Sequence, residues 1–177
     1  MNLEALKYPI GQFIIPETIS EKDLEEAITI LELFPEQLRL LTAHLPEGTL
    51  QQPYRPGGWT IKQLIHHIAD SHHHSYIRFK WALTEDNPTI KAYEEKTWAA
   101  LGDSHTMPIA WSLMHIEAVH YKMTYILKML TKEQWERTFQ HPDKDKPTSL
   151  KENVMIYAWH SRHHFAHIKN ALDSLVS

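Results

Sequence analysis

Histidine is in excess in this sequence, with 14 residues in 177, and cysteine is absent. Without thiolates, a metal site here has only imidazole nitrogens and carboxylate oxygens to draw on. Two pairs in the segment Trp159 to Ile168 have chelating spacing, His160 with His164 and His163 with His167. Residues four apart lie one above the other on a helix, so each pair can offer two ring nitrogens to one ion.

Helical phase separates the two pairs. Leu150, Val154, Tyr157, Ser161, Ile168, Leu172 and Leu175 define an apolar stripe. His164 falls about 40° from its centre, and His160 on its shoulder at about 80°. His163 and His167 fall about 100–140° away, on the solvent side or rim, so phase prefers His160 with His164. A third donor must come from a facing helix, where His66, His67, His72, His73 and His74 cluster. His66 points away from the core at about 150°, His67 sits near the flank at about 110°, and His72 lies on the apolar axis. Phase leaves His67, His72 and His74 open. A histidine on an apolar face is more often a hydrogen-bonded core residue, and that is the reading of His72 and His120.

The elements that must position these residues are helical. Ser20 with Asp23 is an N-cap pair, and Leu24, Ile28, Leu31, Leu38 and Leu41 follow at helical spacing, predicting a helix over about 21–44 kinked or broken at Pro35. After the Pro- and Gly-rich loop Gln51 to Gly58, Thr60 with Gln63 opens a second helix that runs to about Thr84, before Asn87-Pro88. A long connection follows, with a short helical stretch around Tyr93 to Leu101 that Gly102 would end. Pro108 begins a third helix carrying apolar residues from Ile109 to Leu130. Thr131 with Gln134 caps a short turn, His141 to Pro147 is a polar connection, and Ser149 with Glu152 opens a last helix to about Leu175. The expected fold is all-α: an antiparallel four-helix bundle with elaborated connections, one domain over 1–177.

Composition narrows the function. The net charge is −4, and Lys and Arg are scattered, so nucleic acid is not an expected partner. No stretch approaches the roughly 18 apolar residues that span a bilayer, and the first 13 residues lack a signal-like apolar run. A cytoplasmic location is expected.

The run Pro53-Tyr54-Arg55-Pro56-Gly57-Gly58-Trp59-Thr60, then Ile61 to His67, Ala69-Asp70-Ser71-His72 and Ser75-Tyr76-Ile77-Arg78-Phe79-Lys80, resembles the YfiT branch of the DinB superfamily. The segment Tyr157 to Ile168 is similar to it as well, and the likeness extends over almost the whole chain. The resemblance implies a four-helix bundle with a three-histidine metal site whose ligands fall on His67, His160 and His164. It also implies one zinc or nickel ion per chain, a homodimer and metal-dependent hydrolase activity. Some relatives in the superfamily are S-transferases that use a low-molecular-weight thiol such as bacillithiol or mycothiol.

Three imidazoles would leave a tetrahedral ion one open position, whereas structural zinc sites are closed by four protein ligands. Water in that position would have its pKa lowered from 15.7 to roughly 7, and a thiol would ionise outright. Three functions follow: a hydrolase acting on a small molecule, a bacillithiol-type thiol S-transferase, or a non-catalytic metal-stabilised binding module. Asp70, Glu117 and His120 are the candidates for a general base or for orienting a ligand. Arg78 could bind an anionic group or form an exposed salt bridge. Trp59, Trp111 and Trp159 read as packing, and Gly57-Gly58 as a turn.

Overall fold

The computed structural model describes residues 3–176; Met1, Asn2 and Ser177, part of the expected domain, lie outside the described residues. In chain order the elements are α1 (Leu3–Lys7), α2 (Glu21–Thr42), α3 (Glu47–Leu50), α4 (Ile61–Thr84), α5 (Glu95–Ala99), α6 (Gly102–Thr106), α7 (Ile109–Leu127), α8 (Lys132–Trp135), β1 (Thr138–Phe139), β2 (Thr148–Ser149) and α9 (Leu150–Val176).

Helices start where a capping residue precedes an apolar period. Ser20 with Asp23, Thr60 with Gln63 and Thr131 with Gln134 form reciprocal capping boxes. At the start of α9 the Ser149 amide donates to Glu152 Oε2 at 2.7 Å, and the Glu152 amide donates to Ser149 Oγ at 3.2 Å. Pro35 does not break α2. Phe34 and Leu38 are buried on either side of it, and burial worth about 1.5–3 kcal/mol per large apolar side chain offsets the roughly 3 kcal/mol that an interior proline costs. Gly102 begins α6 rather than ending α5, which is closed by Ala100 in a right-handed helical conformation. The pairing of β1 with β2 (Thr138 with Ser149, Phe139 with Thr148) was not expected, because two-residue strands are too short to show alternation.

The four long helices pack in a ring, α2 against α7 and α9, and α4 against α7 and α9. Their directions follow from two apolar clusters. One joins Leu24 to Leu31 of α2, Phe79 and Ala82 of α4, Met123 and Leu127 of α7, and Leu150 to Ala158 of α9. The other joins Phe34 and Leu38, Ile61 to Ala69, Ile109 to Ile116, and Ile168 with Ala171. The starts of α2 and α9 therefore share one end of the bundle, and the starts of α4 and α7 share the other. Pairs α2/α7 and α4/α9 are antiparallel as expected, while α4/α7 and α2/α9 run parallel. A parallel neighbour needs a connection that travels the length of a helix, about 36 Å for α4. Residues 85–108 make that journey, which is why this connection is long.

A polar layer separates the two clusters at mid-bundle. His67, Ser71, His72, Ser75, His120, Thr124, Asn153, Ser161 and His164 are all buried there. No described helix is long and apolar enough to cross a membrane.

Candidate metal centre

Because α4 and α9 are antiparallel, an early residue of one meets a late residue of the other. His67 faces His160 and His164, with ring centroids 5.5 and 5.2 Å apart. One ligand atom from each of the three lies within 4.8 Å of the others, and the Nε2 atoms of His160 and His164 are 3.1 Å apart. His67 and His164 are buried and His160 half-buried.

Burial holds the His67 imidazole down to a pKa of about 4. Burial first, and neighbouring imidazoles second, push His160 and His164 well below the ordinary histidine range. At neutral pH all three are uncharged, so each keeps one bare nitrogen for coordination. The converging atoms are all nitrogen. That donor set suits a borderline divalent ion such as zinc or nickel and not calcium or magnesium, which take oxygen. The residues present fit the metal that the family resemblance implies.

A second trio, His163, His164 and His167, also converges. Its His167 Nε2 is engaged, donating to the carbonyls of Leu6 and Lys7 at 3.1 Å each. His163 and His167 are buried rather than on the rim. The cover comes from outside the bundle: α1 supplies the carbonyls, and the Tyr8 and Tyr54 rings pack on His163 and His167. Helical phase cannot register such cover. His66 is also buried instead of pointing to solvent: its Nε2 donates to the Met107 carbonyl of the connection before α7 at 3.2 Å, and its Nδ1 lies 2.7 Å from Ser112 Oγ on α7 itself.

A cavity of about 520 Å³ opens on the three histidines. Its wall is the loop before α4, where Tyr54 N donates to Trp59 O and Gly58 N to Arg55 O. Gly57 has φ +70°, which the turn requires, and a Cβ on Gly58 would sit 2.9 Å from Arg55 Cγ, so Gly58 leaves room for the Arg55 side chain. The loop delivers Trp59 against His67, at 4.8 Å between centroids, and places Arg55 on the wall. Trp159, Glu95 and Lys96 complete the opening. Trp59 and Trp159 thus pack at the rim of the cavity, on His67 and His163, while Trp111 is 60% exposed on the outside of α7. Tyr93 OH lies 3.5 Å from His67 Nδ1. The position of Arg55 and Trp59, just before the cap of the helix carrying His67, could have flagged them. Tyr93 and Lys96 arrive through the long connection and leave no such signal.

The three candidates for a base separate. Asp70 lines a different pocket, with His73, His74 and Trp98; burial and then Asp103 push its carboxyl up to about 6. Glu117 is exposed and lines a cleft between α2 and α7. Neither borders the cavity at the histidines. His120 also borders that cleft, but its inner nitrogen reaches His72, which in turn reaches His160. Arg78 Nη1 donates to Tyr157 OH at 3.4 Å and makes no ion pair among the described residues.

Parallel neighbours in a four-helix bundle with three inward histidines define a class, and comparison with known proteins gives it a family. Residues 30–168 match the DinB superfamily. A candidate metal-dependent hydrolase of Halalkalibacterium halodurans is 46% identical over 166 residues, covering 94% of this chain and 96% of that one. YfiT of Bacillus subtilis, a candidate enzyme of the same kind, is 43% identical, with 92% of each chain covered. The solved structure of YfiT, described as a probable metal-dependent hydrolase with an unusual four-helix bundle topology, superposes with a TM-score of 0.94 at 41% identity, over 97% of this chain and 98% of that one. The chain belongs to the DinB superfamily, in its YfiT-like branch.

Proposed function

We propose that the protein is a metal-dependent hydrolase of a small molecule, with His67, His160 and His164 holding one zinc or nickel ion. The observation that carries this reading is that the converging ligand atoms number three while a cavity of about 520 Å³ reaches them; a structural site would be closed by a fourth protein ligand. When bound, the ion supplies Lewis acidity, which favours the deprotonated form of a water beside it near neutral pH. The chain does the rest. Trp59 and Trp159 flank the approach, and Arg55 and Lys96 offer positive charge to a polar substrate, with Glu95 beside them. The names of the relatives, candidate metal-dependent hydrolases, support the same class.

The test is turnover of a panel of activated esters and amides by zinc- or nickel-loaded protein with no thiol present. Hydrolysis should disappear with chelator, return with metal and be absent in His160→Ala. Conversion only when a low-molecular-weight thiol is supplied would replace this reading with S-transfer. A large loss of thermal stability on metal removal, with no turnover of any substrate, would replace it with a metal-stabilised binding module.

The homodimer belongs to the same proposal. Trp111, Met114, Tyr121 and Tyr125 lie on one face of α7 and are 60, 59, 75 and 65% exposed. An apolar stripe of this kind on a folded surface suits a second copy of the chain.

A further inference from the structure

We infer that two chains of hydrogen-bonded histidines, each anchored on backbone carbonyls, fix the tautomers of His160 and His164 so that both present a bare Nε2 to the metal centre. His72, His120 and His167 are then positioning residues for metal binding. The inference rests on the metal centre proposed above and goes beyond it to the residues behind the ligands.

The polarity follows from one rule: a carbonyl oxygen only accepts. His120 Nδ1 lies 2.6 Å from Leu31 O, so Nδ1 carries the proton. A neutral imidazole has one proton, which leaves His120 Nε2 bare to accept from His72 Nδ1 at 2.8 Å. His72 Nε2 is then bare in turn and accepts from His160 Nδ1 at 3.0 Å. The proton of His160 is thereby held on Nδ1, and its Nε2 is free.

The second chain reaches the same end from the other side. His167 Nε2 lies 3.1 Å from both Leu6 O and Lys7 O, so it carries the proton. Both residues close α1, a single short turn, and carbonyls at a helix end have no partner within their own helix. His167 Nδ1 is left bare and accepts from His164 Nδ1 at 3.3 Å, which frees His164 Nε2. The two freed Nε2 atoms face each other at 3.1 Å. With no proton on either, that contact is no hydrogen bond. Two lone pairs pointed at one another repel, and a cation between them turns the repulsion into coordination.

Packing keeps the first chain dry. The Phe34 ring lies over His72 and His120, with centroids at 5.7 and 5.5 Å, and Tyr157 meets His72 edge-on at 5.1 Å. Breaking a link has a defined consequence. In His120→Leu, the proton on His72 Nδ1 loses its acceptor, and the uncompensated buried group is relieved if the proton moves to Nε2. His72 would then donate to His160 Nδ1, and the proton of His160 would move to Nε2, into the coordination position.

Two measurements test this. In metal-free wild-type protein, long-range proton–nitrogen NMR should find His72, His120, His160 and His164 protonated on Nδ1 and His167 on Nε2. His160 or His164 protonated on Nε2 would overturn the inference without any variant. Zinc affinity, measured by competition with a chromophoric chelator, should fall about 10- to 100-fold in His120→Leu, the range for groups that orient a ligand. His120→Gln should recover most of the loss, because its amide can donate to Leu31 O and accept from His72. Wild-type affinity in His120→Leu, or a Gln variant as weak as the Leu variant, would refute the positioning role. His67→Ala separates the two ideas: if it loses zinc while His120→Leu does not, the centre stands and this inference fails, and if it keeps zinc, the centre itself fails.

Discussion

Acidifying the metal-free protein should unfold it largely through its buried imidazoles, and His120 gives a single-residue measure of the effect. Burial lowers its pKa from 6.5 to about 4, although the bond to Leu31 works in the opposite direction. Between those values the unfolded chain binds a proton that the folded chain refuses. The stability linked to this neutral His120 is fully present above pH 6.5 and is lost as the pH falls to about 4. At 1.36 kcal/mol per pH unit, that gap corresponds to about 3 kcal/mol. His120→Gln keeps both hydrogen bonds possible and removes the proton site. Urea unfolding of the two metal-free proteins from pH 8 to pH 4 should therefore show the wild type losing about 3 kcal/mol more than the variant. With an m value of roughly 2 kcal/mol per molar, the midpoints would differ in their pH response by about 1.5 M. Parallel stability curves would mean that His120 is not held neutral in the fold, and would undercut the reading of its Nε2 as an acceptor.

Four further outcomes are expected. His67→Ala, His160→Ala and His164→Ala should each abolish stoichiometric zinc binding in metal analysis, whereas His73→Ala and His163→Ala should leave it near wild type. At a zinc concentration about 1,000 times the dissociation constant, the bound ion adds about 4 kcal/mol to stability, so chelator should lower the melting temperature of the wild type but not of His160→Ala. Met114→Glu combined with Tyr121→Glu should convert a dimer into a monomer by light scattering, and an unchanged mass would move the interface away from α7. Gly58→Ala, which brings a Cβ to 2.9 Å from Arg55 Cγ, should displace Arg55 and raise KM several-fold with little change in melting temperature; an unchanged KM would remove Arg55 from substrate binding.

The long helices were legible because their signals are local. Ser20, Thr60 and Ser149 sit just before apolar periods, and each caps the helix predicted from it. The parallel pairing of α4 with α7 was not legible, since no local pattern records which neighbour a helix chooses. At the site, phase put His160 and His164 on the inward side of their helix, but it could not single out His67 from His72 and His74. All three face directions that some other element can cover, and the choice depends on where α9 runs. His163, His167 and His66 were misread as outward for the same reason. Phase measures the angle from a helix's own stripe, while α1 and the connection after α4 bury faces that lie far from it.

The mid-bundle layer is costly to build and informative for that reason. A fold needing only stability would continue the apolar clusters through this level, because a buried polar nitrogen left unpaired costs about 1–3 kcal/mol. Here the cost is met in series. His120 hands its demand to the Leu31 carbonyl, His72 hands its own to His120, and His160 to His72. His164 does the same through His167 to the carbonyls at the end of α1. Every link satisfies the one before it, and the demand left at the inner end of both chains is a lone pair at one point between α4 and α9. The antiparallel run of those helices is what brings the chains together, because it sets His67 opposite His164 and His72 opposite His160 in the same five-residue step along α4. One helix pairing, the antiparallel packing of α4 on α9, therefore aligns ligands and supports at once.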